Sequence, residues 1–588
     1  MRRISAVSFF GLVAMIKIVS RAITASAVSL FLVSAASAAS GNSADLLRYI
    51  PADTPYVFAL TTPLPSKLAD KLEPTVDELL QAYQRILRHA MAEQLVKMSS
   101  EEDAADDAEQ FREVAEEVLS LMSLEGIRGA GIGRDSAFAL YGNGLLPVLR
   151  IELTDPDLFD AALARIEEKA GESLLIGETD GQPYKYAELE NVKLIIATLD
   201  EQAIITAVPA RFNDAQVAMA LGVKKPRRNL KNSKTLRTIR KEYGFSDYFT
   251  GFIDNERIAE IFTGKVTGLD NELFAVLDYQ TPDLTETCST EIMEMVGIVP
   301  RIVFGYSEIT ADIVESAMII EIRKDIAEGL ANVSAAVPGL GLDTGGLLSI
   351  GFGLNPIALR EFYEARLDAM EADPYECENF ADLQAGVAKG REVLNQPIPP
   401  VVYNFRGIVA NIADIKGMDL SSKTPPESID ASILFAVENA ESLITMAAMM
   451  DPQIAALNLL PDGKPVRLNF TKLAEIADEA FAAMSANALS IAIGEGAENN
   501  STSMLVAESA DPVPILSINM NSARYYAMVG EAMAQESTDE DAKKMPVAVR
   551  EAIRDVMMLS GSMYDRMSVD VRFTARGVEI SGRMMLSD

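Results

Sequence analysis

The stretch Pro147-Val-Leu-Arg-Ile-Glu-Leu153, followed by Thr154-Asp155-Pro156-Asp157-Leu158-Phe159, changes its periodicity at Asp155. Before that residue it is a short apolar run of strand type. After it, Leu158, Phe159, Ala162, Leu163 and Ile166 recur at the spacing of one helix face. Asp155 is suited to accept hydrogen bonds from the first free helix amides. Pro156 fits the first helical position, where its missing N–H is not needed. The stretch therefore predicts a strand, a polar turn and an amphipathic helix.

The same pattern recurs along the chain. Pro55-Tyr-Val-Phe-Ala-Leu60 leads to Ser66, Phe249-Thr-Gly-Phe-Ile253 to Asp254-Asn255, and Leu347-Leu-Ser-Ile-Gly-Phe352 to Asn355-Pro356. Ser432-Ile-Leu-Phe-Ala-Val437 leads to Asn439, and Pro514-Ile-Leu-Ser-Ile-Asn519 to Asn521-Ser522. Alternating runs at 301–306 with 312–322, at 401–405, and at 568–573 with 578–585 read as antiparallel hairpin strands with one packed face. The expected class is α+β, with helices packed on mostly antiparallel sheets. The Gly- and Leu-rich turn at 337–343 suggests two related halves, residues 39–340 and 341–588, although the order of elements reads differently in each. Residues 74–124 read as a helical hairpin inserted in the first half, its second helix opening on the acidic run 101–109. That hairpin is expected either to cover the sheet or to protrude toward a partner.

Residues 1–38 read as a cleavable secretory signal of bacterial type. A basic start precedes the apolar run 22–33, and Ala36-Ser37-Ala38 offers a peptidase site, so cleavage is expected near Ala38. Lys17 and Arg21 interrupt the earlier apolar residues, which leaves Met1 or Met15 as the start. No later segment approaches the roughly 20 apolar residues of a spanning helix. The mature chain is expected to work in the periplasm or otherwise outside the cytoplasm, with no transmembrane segment.

Composition excludes several chemistries. The formal charge of −34 argues against nucleic acid as a partner and against bulk anionic membrane as the main one. With one His, His89, and no Trp, histidine metal clusters and the HExxH motif cannot form. His89 itself reads as a solvated helix position. No cofactor and no metal is expected, for there is neither a Walker A sequence nor a G-x-S-x-G elbow. The two cysteines, Cys288 and Cys377, suggest one disulfide in an oxidising compartment, with two free thiols as the alternative. Met446, Met449, Met450, Met557, Met558, Met563 and Met567 read as packing residues rather than copper ligands.

One electrostatic anomaly remains. Lys224, Lys225, Arg227, Arg228, Lys231, Lys234, Arg237, Arg240 and Lys241 follow one another with no carboxylate until Glu242. Arg237, Arg240 and Lys241 fall on one helical face. Such a block suits phosphate groups of an anionic lipid headgroup, or the acidic surface of an envelope protein. The plainer expectation is that it pairs with acidic neighbours such as the 101–117 helix, or is solvated.

Ser136-Ala-Phe-Ala-Leu-Tyr141, the run 146–153 with its Asp155-Pro156 cap, Gln182-Pro-Tyr184, Leu194-Ile-Ile-Ala197, Ile204-Ile205 and Tyr248-Phe-Thr-Gly-Phe-Ile-Asp254 together resemble a domain-of-unknown-function family of exported bacterial proteins. The resemblance covers mainly residues 50–265. It implies the compartment and the fold, and it carries no catalytic residues. Three classes of function stand: a non-catalytic binding or interaction module of the envelope, a carrier or chaperone sheltering an apolar or lipid ligand, and a carboxylate-based hydrolase. The oligomeric state is not expressed in the sequence.

Overall fold

The computed structural model describes residues 43–98, 105–266, 268–417, 426–470, 473, 476–534 and 546–587. The signal-type segment 1–38 and residues 101–104 of the acidic run lie outside them. The chain forms two compact units, neither of them contiguous. The first comprises Met1–Asp283, Val303–Val314 and Met545–Met563. The second comprises Leu284–Ile302, Glu315–Lys544 and Tyr564–Asp588. The class is α+β, and the pairings of β1 to β8 with one another, and of β11 to β19 with one another, are antiparallel among the described residues.

The first unit opens with β1 (Tyr56–Leu60), α1 (Ser66–Met98) and α2 (Ala105–Ser120). The hairpin β2 (Phe138–Asn143) and β3 (Leu146–Glu152) leads to α3 (Pro156–Ala170). The meander β4 (Leu175–Thr179), β5 (Gln182–Leu189), β6 (Val192–Leu199) and β7 (Gln202–Pro209) comes next. After α4 (Asp214–Ala220) and α5 (Thr235–Tyr243) come β8 (Phe249–Asp254), α6 (Asn255–Phe262) and α7 (Gly268–Val276). Pairing gives the order β8-β1-β2-β3-β7-β6-β5-β4. Val57, Ala59, Val148, Ile204 and Phe252 are fully buried along it. Phe159 and Leu163 of α3 pack on Leu153, Ile196 and Ala203. Each such large side chain contributes about 1.5–3 kcal/mol.

The caps follow the local chemistry. The Asp155 carboxylate accepts from the amides of Asp157 and Leu158, and Gly171 ends α3 in the left-handed conformation. Asp254, Asn355 and Asn439 accept from the first-turn amides of their own helices in the same way. The helical hairpin starts at Ser66 rather than near residue 74 and runs through Pro74. It is packed rather than protruding. Glu117 of α2 meets Arg165 of α3 at 2.8 Å, and Lys169 meets Glu113 at 3.5 Å.

The second unit takes α8 (Glu286–Val296) from the middle of the chain. Next along the chain come β9 (Arg301–Ile309) and β10 (Ile313–Glu321), followed by α9 (Lys324–Ala331). Then come β11 (Leu348–Gly353), α10 (Pro356–Ala372), α11 (Ala381–Leu394), β12 (Phe405–Lys416), β13 (Ser428–Val437) and α12 (Ala440–Met450). The rest is β14 (Val466–Arg467), β15 (Ala480–Met484), β16 (Ala488–Ile493), α13 (Ala497–Leu505), β17 (Leu516–Asn521) and α14 (Ser522–Ala534). The chain ends with α15 (Val547–Ser562), which belongs to the first unit, and the hairpin β18 (Tyr564–Thr574) and β19 (Gly577–Leu586). The sheet order is β10-β19-β18-β17-β11-β12-β13-β16-β15-β14. Val337 and Leu340, from the turn read as a divide in the sequence, are buried with Val409 and Leu434 in this unit's core.

Two tethers place the helices that come from a distance. Cys288 and Cys377 form a disulfide, which joins α8 to the segment before α11. Beside it, the Glu291 carboxylate accepts the backbone N–H groups of Glu376 and Cys377 at 2.8 and 2.9 Å. In the first unit α15 packs along α1, where Arg85 meets Asp555 at 2.8 Å.

Candidate functional site

The basic block lies in the loop before α5 and on that helix. Its backbone is pinned from both sides: Leu230 N–H donates to Ile50 O at 2.8 Å, and Ala52 N–H donates to Arg228 O at 3.0 Å. The Asn229 side chain accepts from Asn232 N–H at 3.0 Å. On α5, Leu236 and Ile239 are buried, which leaves Lys234, Arg237 and Lys241 on the solvent side.

The nine cations divide into two groups. Lys224 pairs with Asp180 at 3.0 Å and Lys225 with Asp200 at 3.3 Å. Lys231 is half-buried and has partners of its own. Arg240 does not share the outward face with Arg237 and Lys241. It turns in, donating to Thr250 Oγ1 at 2.8 Å, Asp247 Oδ1 at 2.9 Å and Thr61 Oγ1 at 3.1 Å. Burial pulls its guanidinium below the ordinary arginine value. The other five, Arg227, Arg228, Lys234, Arg237 and Lys241, are exposed, and no carboxylate among the described residues pairs with them. The carboxylates Glu109, Glu113, Glu116 and Glu117 of α2 are engaged elsewhere, with Arg112, Lys169, Arg88 and Arg165 in turn.

Beneath the start of the block is a closed cluster that the sequence reading missed. Arg150 is fully buried on β3. Its Nε donates to Tyr141 Oη at 3.1 Å, its Nη1 to Gln202 Oε1 at 2.8 Å, and its Nη2 to the Leu221 carbonyl. Its guanidinium carbon lies 3.9 Å from the ring centroid of Tyr49, and Lys225 Nζ lies 4.6 Å from the same centroid. Tyr49 Oη donates to Asp200 Oδ2 at 2.5 Å. That bond, aided by Lys225, holds the Asp200 carboxyl below its usual range, while burial raises the Tyr49 phenol. Asp200 and Glu201 both have positive φ, which non-glycine residues rarely adopt, so the turn that presents this carboxylate is strained. The signal for the cluster was present in β3, where Leu146, Val148 and Arg150 alternate onto one buried face.

A concavity of about 420 Å³ lies between α3 and strands β4, β5 and β6. It is open and of mixed polarity, with Leu163, Ile176 and Ile196 beside Asp160, Lys185 and Thr198. Elsewhere, His89 is half-buried on α1 rather than solvated. Met449 and Met450 are exposed on α12, so packing does not account for them. Among the described residues no group of three or more His, Cys, Asp or Glu side chains is arranged to hold a metal ion. No described helix is long and apolar enough to cross a membrane.

Comparison of the chain with protein-family models, with curated proteins and with solved structures finds no match in any of the three.

Proposed function

We propose that this is an exported envelope protein that binds rather than catalyses, presenting Arg227, Arg228, Lys234, Arg237 and Lys241 to the phosphates of an anionic lipid headgroup. The observation that carries the reading is that these five cations stay exposed and, among the described residues, unpaired in a chain of formal charge −34, where carboxylates abound. Their loop is held by backbone hydrogen bonds, so the cost of ordering it on binding is already met. The net charge limits contact to this patch, because beyond about 8 Å at physiological salt the field is screened. The signal-type residues 1–38 and the Cys288–Cys377 disulfide both fit an oxidising extracytoplasmic compartment. The open, half-polar concavity under α3 favours surface contact over enclosure of a lipid.

Vesicle flotation tests this. The protein should float with phosphatidylglycerol vesicles and not with phosphatidylcholine vesicles, and the association should fade as salt rises. Changing Arg227, Arg228, Arg237 and Lys241 together to Gln should abolish it, since each cation near an anionic surface is worth about 1 kcal/mol. Equal flotation of the variant, or binding only to an acidic protein, would reject the lipid reading.

We infer further that the two units descend from one duplicated fold. The order β8-β1-β2-β3-β7-β6-β5 is matched position by position by β17-β11-β12-β13-β16-β15-β14. Each set begins with a strand, two long helices, a short one and a hairpin, and each later returns a strand beside the first. Helix α8 precedes the β9 and β10 strands as α15 precedes β18 and β19, and each of the two is housed in the other copy's unit. An experimental structure in which β17 fails to pair with β11 would overturn this.

A further inference from the structure

We propose that the outer edge of β4, with the concavity beside it, takes an extended peptide that adds as a further strand and carries alternating apolar and basic residues. Among the described residues β4 is paired on one side only, with β5, in the register Leu175↔Tyr186 through Thr179↔Gln182. The two-residue turn between them, Asp180 and Gly181, has positive φ at both positions. Such a turn makes Thr179 and Gln182 a hydrogen-bonded pair, so Leu175, Gly177 and Thr179 direct their backbone groups to β5. The N–H and C=O groups of Ile176 and Glu178 therefore point outward, and no hydrogen bond among the described residues takes them.

Of the usual guards this edge carries the charge of Glu178 and little else. Leu175-Ile176-Gly177-Glu178-Thr179 has no proline and no lysine, and its register with β5 has no bulge. Ile176 is 77% exposed and Leu175 45% exposed. Ile176 stands opposite Lys185, which stands opposite Ile196, so the three form one row across the sheet. That row lines the concavity of about 420 Å³ beneath Leu163 of α3. A residue added opposite Ile176 would fall on the same face, with its side chain at this concavity.

The charges select the occupant. Lys185 is neutralised by Glu167 at 2.6 Å. Asp160 and Glu178, by contrast, have no ion-pair partner among the described residues. Glu178 lies two residues from Ile176 and so on the same face. An apolar residue opposite Ile176 and a Lys or Arg two positions away match this arrangement. A second copy of the chain does not, because it would set Glu178 near its own equivalent between two strongly acidic molecules. The site shares no residue with the basic block.

The test uses the full chain and a short fluorescein-labelled peptide alternating Val and Lys, read by anisotropy, with a Val and Glu peptide beside it. The Val and Lys peptide should bind, and the Val and Glu peptide should bind at least roughly tenfold more weakly. Ile176→Pro removes one outward N–H without touching the β5 ladder and should abolish binding while leaving the melting temperature unchanged. Hydrogen exchange on the unaltered protein supplies a second readout: the amides of Ile176 and Glu178 should be unprotected alone and protected with peptide. Unchanged binding by Ile176→Pro, no protection on adding peptide, equal binding of both peptides, or self-association that protects these amides without peptide would each overturn the proposal.

Discussion

The guanidinium carbon of Arg150 lies 3.9 Å from the ring centroid of Tyr49, in a site closed to solvent. The same guanidinium serves Tyr141, Gln202 and the Leu221 carbonyl, so three polar groups depend on one side chain. Replacing it by Met leaves those groups buried and unsatisfied. Arg150→Met should lower stability by about 3–5 kcal/mol. Arg150→Lys should recover little, because an ammonium cannot reproduce the planar fork. The denaturant midpoint of the first unit's unfolding measures both.

Arg237 and Arg240 stand three residues apart on α5 with opposite fates. Arg240→Gln should cost about 1–3 kcal/mol by breaking its bonds to Thr61, Thr250 and Asp247. Arg237→Gln should change stability by less than about 0.5 kcal/mol. Thermal melts of the two variants side by side check the contrast.

Two tyrosines should resist ionisation. Burial pushes the phenols of Tyr56 and Tyr306 up to about 12 from the ordinary 10.0, with the nearby Asp270 charge adding to the effect at Tyr56. A raised folded-state value means that the folded chain holds these protons more tightly than the unfolded chain. Their contribution to stability is therefore complete below pH 10, and it is lost as pH climbs from there through about 12. Absorbance titration should show a late tyrosinate step, and alkaline unfolding should begin within that window.

The Cys288–Cys377 bridge spans a sequence separation of 89. Closing a loop of that size stabilises by roughly 4–5 kcal/mol in the chain-entropy model. Changing both cysteines to Ser should lower the second unit's transition accordingly. The unaltered protein, denatured without reductant, should take up no thiol label.

Local elements were legible because their causes are local. Asp155, Asn355 and Asn439 announced their helices through the hydrogen bonds they offer to first-turn amides. Strand neighbours were not legible. β3 pairs with β7, and β11 with β17, across long intervening segments, and alternation fixes which face a strand buries, not which strand lies beside it. In the basic block, the spacing of Arg237, Arg240 and Lys241 describes one helix surface. The apolar Leu236 and Ile239 define the inward one, and Arg240 follows them at i+4 from Leu236. Reading the apolar stripe first would have separated the structural arginine from the exposed ones.

The assignment of α15 to the first unit sets a timetable. A chain made from its N-terminus has every strand of the first sheet from β1 to β8 by Asp254, yet the helix that lies along α1 is Val547–Ser562. Until that late segment emerges, the side of α1 it covers stays open to water or to a chaperone. The first-born unit must therefore wait almost as long as the second, and loss of the last tenth or so of the polypeptide would leave the earliest part of the molecule unfinished.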